Sequence, residues 1–193
     1  STAAEVIDRK REVYSRHIGF EVWHLSEEIE REWFRKTFRD HSVTRELTVD
    51  EKKSVLHRLN EVDGLERFLG RAYVGLRRFS IEGTDMLVPM LDETINECGR
   101  VGAREIVIGM AHRGRLNVLT HILNKPYEMM FAQFANVSDE PFLPTDGSIE
   151  TTRGWFGDVK YTMGATYNTA SGMKRFLASN PSILYVVNSV VTG

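Results

Sequence analysis

The sequence predicts an α/β protein: a helical amino-terminal arm over residues 1–75, followed over residues 76–193 by helices and strands built around part of a parallel sheet. Three observations carry this reading. Apolar residues spaced three and four apart recur through the first 75 positions, the spacing that puts side chains on one helix face. The run Glu105-Ile106-Val107-Ile108-Gly109-Met110 is short, apolar and β-branched, as a buried strand is. Helical patterns stand on both sides of that run, and helix, strand and helix in alternation is the grammar of a parallel sheet.

Taken in order, residues 5–17 set Val6, Val13 and Tyr14 among charges in an amphipathic pattern, and Phe20-Glu21-Val22-Trp23 reads as a short extended stretch. Ser26 ahead of Glu27 and Glu28, with Ile29, Trp33, Phe34 and Phe38 following, predicts a helix capped by the Ser26 hydroxyl and acidic in its first turn. Thr48-Val49-Asp50-Glu51 matches a capping box, in which hydroxyl and carboxylate satisfy each other's free amides, and Val55, Leu56 and Leu59 carry that helix to about Asn60. Val62, Leu65, Phe68, Leu69 and Tyr73 predict another helix before Gly75.

Met86, Leu87, Met90, Leu91 and Ile95 mark a helix ending near Gly99, which the strand at Glu105 follows. Gly114 to Leu123 reads as helix with Leu116, Leu119 and Leu123 inward, and Pro126 suits the first turn of a further helix carrying Met129, Met130 and Phe134. Residues 136–158 show no sustained periodicity and are punctuated by Pro141, Pro144, Asp146-Gly147 and Gly154, a long loop of the kind that is usually functional or mobile. Leu184 to Val191 reads as a second buried strand.

Composition narrows the function classes. With 25 basic and 27 acidic residues the formal charge is -2, so no long-range field favours nucleic acid or an anionic membrane, and neither partner is expected. Cys98 is the single cysteine, which excludes an internal disulfide or a CxxC site and suits a reducing compartment, a bacterial cytoplasm or a mitochondrial matrix. No apolar run approaches the roughly 18 to 20 residues that span a bilayer. The chain opens Ser1-Thr2 without methionine and stops inside an apolar stretch, so both ends read as cut. A sheet lacking its remaining strands would expose an edge, and such a piece is expected to associate or to be marginally stable.

The chemistry concentrates in Ile108-Gly109-Met110-Ala111-His112-Arg113-Gly114-Arg115. A strand there delivers a histidine and two arginines to its carboxyl end, where open α/β sheets bind ligands, and a glycine opens the next helix. Guanidinium forks and free helix amides together suit an anionic substrate or a pyrophosphate. The alternative is that His112 and its arginines only cap the strand or hold a subunit contact. For Arg115 the preferred reading is a salt bridge or a helix start rather than catalysis.

GMAHRGRLNVL at 109–119, together with RFSIEG at 78–83, LVPMLDETI at 87–95, GDVKYTMG at 157–164 and NPSIL at 180–184, resembles the decarboxylating, thiamine-diphosphate-dependent component of 2-oxoglutarate dehydrogenase in motif, order and spacing. The resemblance covers residues from about Phe20 onward and an early part of a family chain several times longer. It implies that residues 76–193 are part of a thiamine-diphosphate-binding α/β domain, and that the intact parent decarboxylates 2-oxoglutarate and passes the succinyl group to a lipoyl-bearing succinyltransferase, as a homodimer. It implies that Arg113 binds substrate and reaches the cofactor, that His112 beside it is catalytic through orientation or proton transfer, that Ser182 contacts substrate and cofactor, and that Leu184 packs on the cofactor. Otherwise Ser182 and Leu184 are a strand-start hydroxyl and a core leucine.

Three positions depart from the family pattern. Thr162 stands where KYHMG has a substrate-binding histidine, and Ile183 and Tyr185 replace the histidine and glutamate of NPSHLE. A threonine supplies no imidazole proton near neutral pH. The family's magnesium site, a GDG followed by an asparagine, is expected beyond this chain, and Asp146-Gly147-Ser148 is not that motif. These 193 residues alone are therefore expected to be inactive. Two further readings stay open: a relative acting on another 2-oxo acid, and a non-catalytic binding or assembly module whose charged helices dock a partner.

Overall fold

In the computed structural model, which describes residues 2–15, 18–40, 45–151 and 160–192, the chain divides into two units between Lys52 and Lys53. The first unit begins with α1 (Ala3–Tyr14), whose end is closed by a capping box: Thr2 Oγ1 accepts from the Glu5 amide at 3.3 Å and the Glu5 carboxylate accepts from the Thr2 amide at 2.9 Å. Helix α2 (Glu28–Arg39) starts later than the Ser26 cap predicts, with Glu27 at the cap position and no side-chain cap. The reason is competition. The Arg31 guanidinium reaches back to the carbonyls of Leu25 and Ser26 and also holds the Glu28 carboxylate, so arginine rather than serine organises this terminus. Phe20 stacks on Phe38 with ring centroids 3.9 Å apart, and Tyr14 meets Phe38 edge-on. Phe38 is the one buried side chain among the described residues of this unit.

Helix α3 (Val49–Ala72) is one helix of 24 residues where the sequence suggests two. The predicted capping box at its start is present, with the Thr48 amide 2.7 Å from the Glu51 carboxylate. No break falls near Asn60 because Val62, Leu65 and Leu69 continue the buried face and Gly64 lies where nothing crowds the backbone. Helix α4 (Leu87–Arg100) stands as predicted, and strand β1 (Glu105–Ile108) forms where expected but is not the buried strand read from its apolar run: it stands at one end of the sheet, with Val107 64% exposed. Helix α5 (Arg115–Asn117) runs on into a π-helical turn, Val118–Ile122, and α6 (Tyr127–Phe134) follows directly after Pro126. The segment read as a long loop contains a 3-10 turn, Glu140–Phe142, and strand β2 (Ile149–Thr151). Strands β3 (Ala165–Asn168) and β4 (Lys174–Leu177), then a 3-10 turn Leu184–Val186 and helix α7 (Asn188–Thr192), complete the chain.

The sheet order is β1-β4-β3-β2, and the sheet is mixed rather than parallel as expected. Only β1 and β4 run parallel, with Ile108 opposite Leu177, while β4–β3 and β3–β2 are antiparallel. The connection between β3 and β4 decides this. It is a short turn closed by the Thr169 and Met173 backbones at 2.9 Å, and a turn of that length cannot make the crossover that parallel neighbours require. The expected strand at Leu184–Val191 is also corrected. Its backbone bonds are local, Val190 and Val191 amides to the Val187 carbonyl, and Val187 alone among its described side chains is buried. A short apolar run does not distinguish strand from helix by periodicity, and here the local bonds form instead of a ladder.

Val62, Leu65 and Leu69 of α3, Val88 and Ile95 of α4, and Leu116, Leu119 and Ile122 after β1 form one core with Leu177 of the sheet. Among the described residues no helix is long and apolar enough to cross a membrane.

Candidate functional site

The pairing of β1 with β4 extends one residue past the strands, where the Ala178 amide donates to the Ile108 carbonyl at 2.9 Å. The chain then turns through Met110 to Gly114 and enters α5. Gly114 has φ +74, and a Cβ there would lie 2.9 Å from the Ile81 side chain, so both backbone conformation and space require glycine. Its amide donates to the Phe79 carbonyl at 3.0 Å, and Phe79 itself has φ +48, an uncommon conformation for a bulky residue.

His112 is 5% exposed. Its ring packs on Phe79 with centroids 4.9 Å apart, and its Nδ1 has no hydrogen-bond partner. Burial, and then the positive charge of Arg115, push its pKa below the ordinary histidine value, so the imidazole is neutral at pH 7. Arg113, next in the chain, is exposed and makes no hydrogen bond or ion pair among the described residues.

Arg115 is fully buried at the first position of α5. Its guanidinium donates to three backbone carbonyls, Met110 at 3.2 Å, Met163 at 2.9 Å and Ala178 at 2.6 Å. The helix-start reading holds and the salt-bridge reading does not, since among the described residues no carboxylate pairs with it. Burial lowers its pKa to about 10, which leaves it charged at neutral pH.

The quoted motifs converge on this junction. Phe79 of RFSIEG meets Tyr161 edge-to-face at 4.9 Å as well as His112, and the Tyr161 hydroxyl donates to the Arg77 carbonyl. Buried Lys160 sets its ammonium 5.1 Å from the Phe134 ring and 5.0 Å from that of Tyr161. The Asn180 amide of NPSIL donates to the Thr162 carbonyl at 2.8 Å, and its side-chain amide, oriented to satisfy both ends, donates to the Thr162 and Tyr161 carbonyls. The Gly164 amide donates to Ser179 Oγ at 2.9 Å, and a Cβ on Gly164 would stand 2.9 Å from the Ser179 nitrogen, so the end of GDVKYTMG packs on the backbone just ahead of NPSIL.

The structure thus brings His112, Arg113, Thr162 and Asn180 into neighbouring segments, with Thr162 half-buried. Ser182 is exposed two residues past Asn180 and makes no hydrogen bond among the described residues. Leu184 opens a 3-10 turn, and its side chain lies outside the described part, as do Gly157 to Val159 of GDVKYTMG. Ile183 and Tyr185 are 66% and 88% exposed. Phe79, Tyr161, Arg115 and Asn180 were not singled out as site residues by sequence. For Asn180 the NPSIL motif was a signal, whereas nothing in the sequence announces the Phe79 backbone or the three carbonyls on Arg115.

A further buried charge lies outside this junction. Lys125 is 3% exposed, donates to Gln133 Oε1 at 2.8 Å, and Gln133 in turn donates to Asp139 at 2.7 Å. Burial pushes the Lys125 pKa down to about 7, against the opposing pull of Asp139. Among the described residues no group of three His, Cys, Asp or Glu side chains is placed to hold a metal ion.

No family model matches the chain. Curated relatives do. Over 193 residues the chain is 45% identical to the 2-oxoglutarate dehydrogenase E1 component of Geobacillus sp. (strain WCH70), a match that covers 98% of this chain and 20% of the relative. Its identity to the protein of the same name from Staphylococcus haemolyticus (strain JCSC1435) is 45% over 194 residues, and to that from Staphylococcus aureus (strain N315) 47% over 195 residues, in each case 99% of this chain and 21% of the relative. The chain spans about a fifth of the length of these relatives.

Proposed function

We propose that this chain, homologous over nearly all of its length to an amino-terminal stretch of 2-oxoglutarate dehydrogenase E1 components, supplies the substrate-anchoring part of a thiamine-diphosphate-dependent decarboxylase. One observation carries the reading. Arg113 is exposed and unpaired beside a buried, uncompensated Arg115, so two positive charges flank Gly114 with no carboxylate among the described residues to cancel them. Such a site attracts an anion, and Arg113 offers the planar fork that takes a carboxylate by two hydrogen bonds.

In this reading Arg113 anchors a carboxylate of 2-oxoglutarate. His112 is neutral, so the role we assign it is to orient the substrate or take a proton rather than to add a third positive charge, and its Nδ1 is buried without a partner. Phe79, itself backed by Tyr161, covers the histidine on one side. Thr162 can bond a substrate oxygen but cannot titrate near pH 7. Thiamine diphosphate supplies the carbanion chemistry, and Ser182 and Leu184 are the residues assigned to its neighbourhood. The residues present fit the substrate end of such a site. They do not fit its metal end, because magnesium needs a set of oxygen ligands and no metal-ligand cluster occurs among the described residues. Residues 76–193 are then part of the cofactor-binding domain, and the intact parent would be a homodimer that passes a succinyl group to a lipoyl-bearing succinyltransferase. The relatives being bacterial, the compartment we assign is the cytoplasm.

The test is carbon dioxide release by the full-length protein with thiamine diphosphate and magnesium across a panel of 2-oxo acids. Preference for 2-oxoglutarate is the expected result. A second reading, favoured by Thr162, Ile183 and Tyr185, is a related enzyme for another 2-oxo acid, and preference for such an acid would replace the first. Absence of turnover on every acid would overturn both.

A further inference from the structure

We infer that Arg115 is a positioning residue: its guanidinium clamps the carbonyls of Met110, Met163 and Ala178 and so sets the spacing of the three segments that carry His112-Arg113, Thr162 and Ser182. The role deepens the functional reading above and rests on it.

A fully buried guanidinium without a counter-ion is expensive, and a chain that needed only a helix start would leave this position to an uncharged residue. What the charge obtains in return is three oriented dipoles. The planar fork carries five donors at fixed angles, so the three carbonyls it holds are fixed in relation to one another as well as to Arg115. Those carbonyls belong to separate parts of the sequence: the turn after β1, the residue before Gly164 ahead of β3, and the residue after β4. Each lies within a few residues of a family motif position. Met110 precedes His112 by two residues, Met163 follows Thr162, and Ala178 precedes Asn180, whose amide returns to the Thr162 carbonyl.

The clamp is backed by contacts that leave little slack. Gly164 packs against the Ser179 backbone with no room for a Cβ, and Gly114 is fixed against Ile81. A guanidinium removed from this centre leaves three carbonyls of half-buried residues without their donor while the surrounding backbone stays crowded. The segments then relax apart, and a shift of about 1 Å in a site can cost on the order of a hundredfold in rate. Burial first, and the Arg115 charge second, lower the His112 pKa, so clamp and histidine are coupled electrostatically as well as through the backbone.

Arg115→Met and Arg115→Lys in the full-length protein test the inference, with Ser179→Ala as a milder variant that loosens the same junction without touching the charge. Three quantities are read: kcat and KM on the 2-oxo acid that the wild type prefers, the pKa of His112 from exchange of its ring C2 hydrogen followed by mass spectrometry, and backbone amide exchange. Arg115→Met should lower kcat by about ten- to a hundredfold, with KM moving less. It should raise the His112 pKa and speed amide exchange together in 109–113, 160–165 and 177–182, while 116–123 stays protected. Arg115→Lys should keep the His112 pKa near wild type and recover part of the rate. Ser179→Ala should speed exchange at 160–165 and 177–182 with the His112 pKa unmoved. A fall in melting temperature with kcat and the His112 pKa unchanged would show a purely structural arginine and overturn the inference. A wild type that turns over no 2-oxo acid would sink the functional reading instead, and amide exchange and the His112 pKa would still decide the clamp. If Arg115→Met fails to fold, Arg115→Lys and Ser179→Ala carry the same comparison, and three segments that keep wild-type exchange in both would refute the clamp.

Discussion

The two units treat charge differently. In the first, arginines meet glutamates at the surface: Arg31, Arg35 and Arg39 pair with Glu28 and Glu32 along α2, and a small aromatic cluster buries only Phe38 among the described residues. In the second, surface pairs such as Arg67–Asp63 and Arg100–Glu97 recur, but charged and titratable groups are also inside. His112, Arg115, His121, Lys125 and Lys160 are all buried, held by carbonyls, amides or ring faces. Surface pairs are exchanged readily for water and contribute little, whereas a buried charge makes its surroundings depend on it. The unit that bears the cost of burying charge is the one that gathers the motif residues.

The largest expected effect would break the comparison if it failed. Leu119, wholly buried in the core of the second unit, when changed to alanine should destabilise that unit by about 2–5 kcal/mol in denaturant unfolding. Ile29 in the first unit is 80% exposed, and its change to alanine should move stability by no more than about 0.5 kcal/mol. Equal losses from the two would mean that the units do not differ in packing as described.

The same contrast explains what the sequence could show. Helices α1, α2 and α4 and strand β1 were legible because each repeats an apolar spacing or a dense β-branched run, and the Thr48–Glu51 box was legible because its chemistry is local. Strands β2, β3 and β4 were not, since Glu150, Thr166, Lys174 and Arg175 give them a polar look although they pair in register. The mixed sheet depends on a short turn whose consequence is topological rather than compositional. His112 and Arg113 were legible as a motif, and the resemblance to the family was borne out by relatives at 45–47% identity. Arg115 was read as a surface pair or helix start because sequence shows its charge but not the three carbonyls that take it in.

A smaller effect sharpens the account of buried charge. Lys125 holds a folded pKa near 7, far below the ordinary lysine value that applies in the unfolded chain. Between those values the unfolded chain binds more protons than the folded one, so stability rises with pH from about 7 upward and is lost as pH falls towards 7. Thermal melts from pH 7 to 9 should therefore show a rising melting temperature in the wild type and a flatter profile in Lys125→Met. Identical slopes would show that this amine is not desolvated. The depressed pKa values of His112 and His121 act in the same sense lower on the scale, removing stability as pH falls below the ordinary histidine range.

The smallest effect belongs to the first unit. Glu32→Gln removes a carboxylate that Arg35 and Arg39 share at the surface of α2. Its melting temperature should match wild type at moderate salt, as exposed pairs contribute little and are screened. A clear drop that persists at high salt would mean that this network is structural and that the two units are more alike than drawn.

The central claim is that Arg113 anchors an anionic 2-oxo acid through two-pronged geometry, and calorimetric titration of 2-oxoglutarate into full-length wild type and Arg113→Lys tests it most directly. The change keeps the charge and loses the planar fork, so the account predicts affinity weakened by about ten- to a hundredfold, with an unchanged thermal melt. Equal affinity in the two proteins would contradict it.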